Sequence, residues 1–178
     1  MRLAVVVSLL SLFTISSQVK SSDHFEFNSN SNVDICFRPQ ENCLKRFISF
    51  LDLADSSIDM AVYRINNDAI YQILKEKLEK GVKVRLVVDK ENYKNKGSSV
   101  DKLVKYGAVV KFGTQEGHMH HKFTIVDRQF IQFGSANYTS KSFEKNYENI
   151  VFTRLNTVRE SYQRHFETLW VDSSRFKK

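Results

Sequence analysis

The chain of 178 residues has one proline, two cysteines and no internal repeat, and no low-complexity tract longer than Ser21–Asn32. Two cysteines are too few for a structural zinc site. Because no segment is repeated, any catalytic motif occurs only once. Hydrophobic residues make up 42% of the chain, which predicts that most of it folds. The length suits a single domain.

Basic residues outnumber acidic ones by 27 to 20, which gives a formal net charge of +7. An excess of this sign attracts polyanions such as nucleic acid or acidic lipid surfaces. The same excess of positive charge could also be a surface charge that only keeps the protein soluble. The charge alone therefore does not choose between DNA, RNA and membrane.

The N-terminal segment 1–20 combines one positive charge with an apolar run that ends near Ile15. This pattern resembles a secretory signal peptide and is short for a membrane-spanning helix. We therefore expect export to the periplasm or out of the cell, with an uncleaved N-terminal membrane anchor as the alternative. Residues 21–32 are predicted to form a flexible linker.

Cys36 and Cys43 are consistent with export, because they could form a disulfide in an oxidising compartment. Two unpaired core cysteines fit the sequence as well. The sequence leaves both states open.

Residues 33–178 are predicted to form one α/β domain. Strand Ser57–Tyr63, a helix capped by Asn66 or Asn67, and strand Val82–Asp89 form a strand-helix-strand unit, and such units make parallel pairs.

Two later segments, His120–Val126 and Gln129–Phe133, are joined by a tight turn and predict an antiparallel pair. Thr157–Trp170 predicts a closing helix. We expect a mixed, mainly parallel β-sheet flanked by helices on both faces.

Three consecutive residues of the predicted strand His120–Val126 suggest chemistry. Residues two apart face the same way, so His120 and Lys122 project together while His121 points to the opposite face. Cleavage of a phosphodiester needs a nucleophile or acid that works near neutral pH, as an imidazole does, and a fixed positive charge for the phosphoryl oxygens. A single histidine on a strand is more often structural, so this pair needs further support.

The turn Gly134-Ser135-Ala136-Asn137 follows the neighbouring predicted strand. It can offer backbone N–H groups, the Ser135 hydroxyl and the Asn137 amide to the same phosphate. Glu148 is a candidate to hold the far nitrogen of the His120 imidazole. Gly-Ser-x-Asn alone is only a turn. The ordered set of polar residues is what favours a functional site.

The series His120-x-Lys122-x-x-x-x-Asp127, then Gly134-Ser135-x-Asn137 and Glu148-Asn149, resembles the HKD signature of the phospholipase D superfamily. Within that superfamily it is most similar to the short, single-motif bacterial endonuclease branch. The similarity extends over roughly residues 33–172. It implies the family's α-β-α sandwich.

The resemblance also implies roles for individual residues. His120 would attack phosphorus to form a covalent phosphohistidine, and Lys122 would bind the phosphoryl oxygens. Ser135 and Asn137 would complete the phosphate pocket, and Glu148 would orient His120. Asp127 and Gly134 would be structural residues of the motif. The family needs no metal, and no cofactor is expected.

Family members with this chemistry use two HKD motifs, with one histidine as nucleophile and the other protonating the leaving oxygen. This chain has one motif. We therefore expect a two-fold symmetric homodimer in which both His120 side chains meet one phosphate.

The predicted substrate is nucleic acid, and the expected activity is that of a non-specific endonuclease on DNA or RNA. A binding groove needs cations and aromatic surface, which could come from Lys90, Tyr93, Lys94, Lys96, Lys141 and Lys145. The other interpretation of these residues is a solvated lysine-rich loop.

Two alternatives to the nuclease prediction stay open. A phospholipase D that hydrolyses phospholipid head groups would need an exposed apolar lip, and the sequence shows no clear surface apolar stretch outside the N-terminal segment. A catalytically idle phosphate-binding domain is the second alternative.

Overall fold

A computed structural model describes residues 25–27, 31–93, 97–114 and 116–175. The predicted signal segment 1–20 lies outside the described residues, and so do Lys94 and Lys96 of the predicted groove. The described elements are β1 (Val33–Arg38), α1 (Cys43–Asp52), β2 (Ser57–Val62), α2 (Asp68–Glu79), β3 (Lys83–Val88), α3 (Lys90–Tyr93), α4 (Val100–Lys105), β4 (Val109–Phe112), β5 (Lys122–Val126), β6 (Phe130–Gly134), α5 (Ser140–Glu144), β7 (Glu148–Thr153), α6 (Asn156–Asp172) and β8 (Ser174–Arg175).

The strands form one mixed sheet in the order β1-β7-β6-β5-β2-β3-β4-β8. Only the β2–β3 and β3–β4 pairs are parallel among the described strands, and the other neighbours are antiparallel. The mixed sheet is confirmed, but the expectation that it is mainly parallel is wrong. The reason is that the parallel crossovers are confined to β2, β3 and β4, whereas a short turn joins β5 to β6, and the connection through the short α5 returns β7 antiparallel to β6.

Helices cover both faces of the sheet, as predicted. On one face α1, α2 and α4 bury a large core whose fully buried side chains include Phe47, Leu74 and Leu103. On the other face α6 packs Phe166 against Phe123 and Ile131 of the sheet. The helix caps follow the sequence, because the Asn67 side chain accepts a hydrogen bond from the Ile70 N–H at 3.1 Å at the start of α2.

The predicted linker 21–32 is wrong for the residues within it that the structure describes. Phe25 is only 7% exposed and packs on Phe50 and Phe152, with ring centroids 5.5 and 5.0 Å away. Phe27 stacks on Phe130 at 5.9 Å. Burial of these aromatic surfaces outweighs the polar composition around them, so the domain includes residues before the predicted boundary at 33.

Cys36 in β1 and Cys43 at the start of α1 form a disulfide. Both are fully buried. Of the two states that the sequence left open, the structure therefore has the bonded one, and the bond ties the edge strand β1 to the first helix.

The β5–β6 hairpin turn fixes the far end of β5. Asp127 and Arg128 both adopt left-handed conformations, with φ of 51° and 58°, at the centre of a turn that the Gln129 N–H closes onto the Val126 carbonyl at 2.9 Å. The Asp127 carboxylate accepts hydrogen bonds from the backbone N–H groups of Asp55, Ser56 and Ser57 at 2.7–2.9 Å. It also accepts one from the Ser56 hydroxyl at 2.8 Å. This supports a structural role for Asp127.

None of the described helices has the length and apolar character needed to span a bilayer.

Candidate active site

The predicted site residues meet at one edge of the sheet. β2, β3 and β6 end at this edge, and β5 and β7 begin there, since Val62 pairs with both Val88 and Lys122 and Arg38 pairs with Glu148. Ligand sites in α/β sheets commonly lie beyond strand ends of this kind.

His120 and Lys122 lie side by side, as the alternation predicted. The Lys122 ammonium is 3.0 Å from Nδ1 and 3.4 Å from Nε2 of the His120 ring, and it donates to the His120 carbonyl at 2.7 Å. Tyr63, just past β2, packs against both groups, with its ring 4.5 Å from the His120 ring and 5.4 Å from the ammonium. The strand starts at Lys122 rather than at His120, so the histidine stands on the loop just before it.

Burial and the neighbouring ammonium group favour the neutral form of the His120 imidazole. Burial lowers the pKa of His120, and the charge of Lys122 lowers it further, against a smaller opposing effect of Asp89. Burial also lowers the pKa of Lys122, while Glu148 raises it. A neutral imidazole next to an ammonium group combines an available lone pair with a positive charge.

Asp89, which the sequence interpretation missed, holds the loop that carries His120. Its carboxylate is 4% exposed and accepts a hydrogen bond from the Met119 N–H at 3.1 Å, and it lies 3.3 Å from Nδ1 of His118. The Asn92 N–H donates to it at 2.9 Å. A carboxylate directly after the buried run Val87–Val88 was the available signal.

Gly134 and Ser135 lie next to β7, at the start of which stands Glu148. A Cβ atom on Gly134 would lie 2.1 Å from the Asn149 carbonyl oxygen, and the φ of Gly134 is 158°, so this close approach of two strands needs glycine. The Ser135 hydroxyl donates to Glu148 and accepts from the Asn149 N–H at 3.1 Å.

Glu148, which the sequence interpretation expected to orient His120, makes its hydrogen bonds elsewhere within the described part of the chain. The Glu148 carboxylate binds the Ser135 hydroxyl and, at 3.0 Å, the Asn146 side-chain amide. It reaches Lys122 only as a longer-range charge. The strand pairing that places Glu148 beside Ser135 is a long-range contact that the local pattern did not contain.

An open cleft of about 550 Å³ brings together His120, Lys122, Gly134 and Ser135. Asn137 does not line this cleft. Its side-chain oxygen is buried without a hydrogen-bond partner among the described residues. The structure therefore brings together the imidazole, the ammonium and the serine of the predicted phosphate pocket, with the asparagine behind them.

His121 faces away from this group, as predicted. Its Nε2 atom lies 3.0 Å from Nε2 of His165 on α6, and its ring packs against Phe123. His121 nevertheless borders the same cleft.

The predicted groove residues divide into two kinds. Lys90, Lys141 and Lys145 are exposed and make no ion pair within the described part of the chain; Lys90 comes shortly after β3, Lys141 lies in α5, and Lys145 ends that helix. Tyr93 is not a free aromatic surface: its hydroxyl donates to Asp101 at 2.6 Å and its ring packs on Phe112. Burial raises its pKa to about 12.

An aromatic rim borders the site, which the sequence interpretation did not identify. Phe37 is 53% exposed and Tyr147 is 84% exposed, and they line a second cleft together with Ser135, Glu148 and Arg38. Because Ser135 lines both clefts, the aromatic rim is continuous with the phosphate pocket. The sequence showed no clear surface apolar stretch outside the N-terminal segment, because Phe37 and Tyr147 lie far apart in the sequence and come together only in the fold.

The comparisons with known proteins agree with this geometry. The family model of the cardiolipin synthase, PLD-like domain matches residues 47–170. A mitochondrial cardiolipin hydrolase of Chlamydomonas reinhardtii is 35% identical over 127 residues, which cover 71% of this chain and 57% of that protein. A phospholipase D of Rickettsia prowazekii is 33% identical, with coverage of 75% and 65%. The chain thus spans about three fifths of the length of these curated relatives.

Two solved structures share the fold over almost their whole length. Nuc from Salmonella typhimurium, a phospholipase D family member, superposes with a TM-score of 0.75 at 24% identity, covering 82% of this chain and 98% of that one. NucT from Helicobacter pylori gives 0.75 at 25% identity, covering 81% and 98%. From the motif, the site geometry, the family match and the relatives, we conclude that this chain belongs to the phospholipase D superfamily.

Proposed function

We propose that the chain hydrolyses phosphodiester bonds through a covalent phosphohistidine at His120. The observation that carries this proposal is the contact between a neutral His120 imidazole and the Lys122 ammonium at the mouth of an open cleft. In the reaction, a ring nitrogen attacks phosphorus and the P–O bond to the leaving alcohol breaks. The Lys122 ammonium and the hydroxyl of Ser135 hold the phosphoryl oxygens, and water then cleaves the P–N bond.

The test of the nucleophile is to trap the intermediate. A substrate labelled at phosphorus should leave acid-labile, base-stable label on the native chain and none on His120→Asn. Circular dichroism should show that the variant is folded, because His120 is exposed and lies outside the core. Turnover that survives in His120→Asn would show that the nucleophile lies elsewhere.

We propose further that the active unit is a homodimer. The leaving oxygen needs a proton, and within one chain the other two histidines near the site are engaged elsewhere. His118 lies against Asp89, and His121 against His165. A second copy can bring another His120 to the same phosphate as general acid. Light scattering should give a dimer at assay concentrations, and a fully active monomer would contradict this proposal.

Nucleic acid is the substrate class that we propose. Support comes from the three exposed lysines Lys90, Lys141 and Lys145 in the segments that follow β3 and β6, the net charge of +7, and the aromatic rim of Phe37 and Tyr147 beside the phosphate pocket. Lysines follow a phosphate backbone without reading its sequence, and exposed rings stack on bases. The geometry thus suits single-stranded or locally opened DNA or RNA, cleaved without strong base preference.

Phospholipid is the second candidate, because the named relatives are a cardiolipin hydrolase and a phospholipase D. The aromatic rim would in that case contact the membrane surface. The deciding experiment compares single-stranded DNA, double-stranded DNA, RNA and cardiolipin or phosphatidylcholine vesicles in parallel, with EDTA present. Cleavage of lipid but of no nucleic acid would reverse our ranking.

The aromatic rim allows a sharper comparison. Tyr147→Ala should raise KM for a single-stranded oligonucleotide roughly 5- to 150-fold, since stacking contributes about 1–3 kcal/mol per base. It should leave hydrolysis of a small aryl phosphodiester unchanged. Tyr106→Ala is the matched control, because Tyr106 is 40% exposed and lies at the end of α4. Equal loss on both substrates would mean that Tyr147 supports the site or the dimer instead.

We also propose that the chain works in an oxidising compartment after export. The buried Cys36–Cys43 disulfide supports this, because such bonds persist mainly in secreted or periplasmic proteins. Mass spectrometry of the protein from its native host, with and without reduction, should show the bond and the loss of residues 1–20. Reduced cysteines and an intact N-terminus in the cytoplasm would contradict the proposal.

A further inference from the structure

His121 and His165 form a pair that the proposed reaction does not use. Their Nε2 atoms are 3.0 Å apart, and their rings meet edge to face at 81° with centroids 4.9 Å apart. One comes from the loop before β5 and the other from the middle of α6, 44 residues later. Both side chains are exposed to solvent.

The separation of the two nitrogens fits a bound metal ion. Imidazole binds Zn²⁺ at about 2.0–2.1 Å, so two ligands at about 90–110° around one ion have nitrogens about 2.9–3.4 Å apart. The observed 3.0 Å lies inside this range. Without a metal, the same contact can be a single N–H···N hydrogen bond between two neutral rings.

The two rings are held in place by their surroundings. The His121 carbonyl accepts a hydrogen bond from the Tyr63 N–H at 2.9 Å, which fixes the backbone beside β2. Phe123 packs against both rings, at 5.6 Å from His121 and 6.2 Å from His165. His165 is next to the fully buried Phe166, which anchors that turn of α6. A pair fixed in this way loses little side-chain freedom when it binds an ion.

The ligand type favours a borderline transition metal. Each neutral imidazole offers one ring-nitrogen lone pair, and the two Nε2 atoms are the ones that face each other. No cluster of three or more histidine, cysteine or acidic side chains suited to a metal occurs in the described part of the chain. Water would therefore fill the remaining coordination positions.

We propose that His121 and His165 form a two-imidazole binding site for Cu²⁺ or Zn²⁺ at the rim of the catalytic cleft. Imidazole nitrogens suit these ions, and Cu²⁺ should bind more tightly than Zn²⁺. The site is separate from the nucleophile, since His121 and His120 point to opposite faces. It does not depend on the proposed function, because it rests only on the geometry of the pair.

The test uses the full chain, freed of metal, and titrates it with Cu²⁺ or Zn²⁺ by calorimetry. The expected result is one strong site per chain, and an electron paramagnetic resonance spectrum of the Cu²⁺ form that shows two coupled nitrogens. His121→Asn and His165→Asn should each weaken binding at least about tenfold. Both should keep the native circular dichroism spectrum in metal-free buffer.

Two controls locate the site. His118→Asn removes a histidine that lies three residues from His121 but contacts Asp89 instead, and it should bind the ions as the native chain does. His120→Asn should also retain binding. Unchanged affinity in His165→Asn, or loss of affinity in His120→Asn, would overturn the proposal and leave the pair as a hydrogen bond only.

Discussion

Replacing Asp127 with asparagine should weaken the fold and leave the chemistry intact. The carboxylate accepts four hydrogen bonds from residues 55–57, and its position at the hairpin turn requires the left-handed conformation that asparagine also tolerates. The substitution therefore changes the charge and one acceptor atom with little backbone strain.

The size of the effect follows from these contacts. A hydrogen bond to a charged group contributes about 1.5–3 kcal/mol, but the four donors share one partly exposed carboxylate, and asparagine keeps one oxygen. We expect a loss of about 2–3 kcal/mol in the free energy of unfolding. For a domain of this size that lowers Tm by about 4–12 °C.

The pH dependence gives a second measure of the same interaction. Burial raises the pKa of Asp127, but the hydrogen bonds from Asp55, Ser56 and Ser57 outweigh it and hold the pKa below its ordinary value. A lowered pKa stabilises the fold above the ordinary aspartate value of about 3.9, and this contribution is lost as the pH falls through the native pKa. The stability difference between native chain and Asp127→Asn should therefore shrink in acid.

The assay measures urea unfolding at pH 7 and at about pH 3, with kcat/KM measured well below the Tm of each protein. His120→Asn is the complementary control, since it should lose turnover and keep its stability. An Asp127→Asn variant with native Tm but a hundredfold loss of kcat/KM would refute the structural role.

Three further predictions address other contacts. Gly134→Ala should lower the free energy of unfolding in urea by at least about 2 kcal/mol, because the new Cβ would meet the Asn149 carbonyl. Gly81→Ala is the control: its φ is 87° but the space around it is open, so it should cost only about 1 kcal/mol. Equal losses in the two variants would contradict the clash. Asp89→Asn should lower kcat/KM at least about tenfold, measured at the pH of maximal activity, because it loosens the loop before β5. Native turnover in this variant would show that other contacts hold the loop. The nuclear magnetic resonance titration of His120 should give a pKa below the usual value of about 6.5, and Lys122→Met should raise it; an unchanged pKa would mean that the two charges do not interact.

The sequence predicted correctly the features that depend on neighbouring residues, such as which side chains share a strand face and where a helix begins. Alternation along the predicted strand placed His120 and Lys122 on one face and His121 on the other, and Asn67 caps the start of α2 as expected. Contacts between distant segments were not predictable in this way.

Three features that the sequence did not predict arise from such contacts between distant segments. Glu148 binds Ser135 because β6 and β7 pair, the aromatic rim arises because Phe37 on edge strand β1 comes beside Tyr147, and Phe25 is buried because a core face was left uncovered. Each depends on strand order in the sheet, which the periodicity of one segment does not contain. The expectation of a mainly parallel sheet failed for the same reason, since it was extrapolated from the β2–α2–β3 unit.

The spacing of the motif has a mechanical explanation in β5. Lys122 and Asp127 stand at opposite ends of one strand, and five steps of about 3.3 Å separate them by about 17 Å, too far for a proton to pass between them within one chain. At one end Asp127 fastens the strand to the loop before β2. At the other end the Tyr63 N–H binds the His121 carbonyl, just beside the reacting groups. A strand fixed at both ends cannot slide, and a slip of one residue would turn His120 and Lys122 to the α6 face. Loss of the Asp127 anchor should therefore reach the active site only through unfolding or register, which is why stability and turnover must be measured on the same variant.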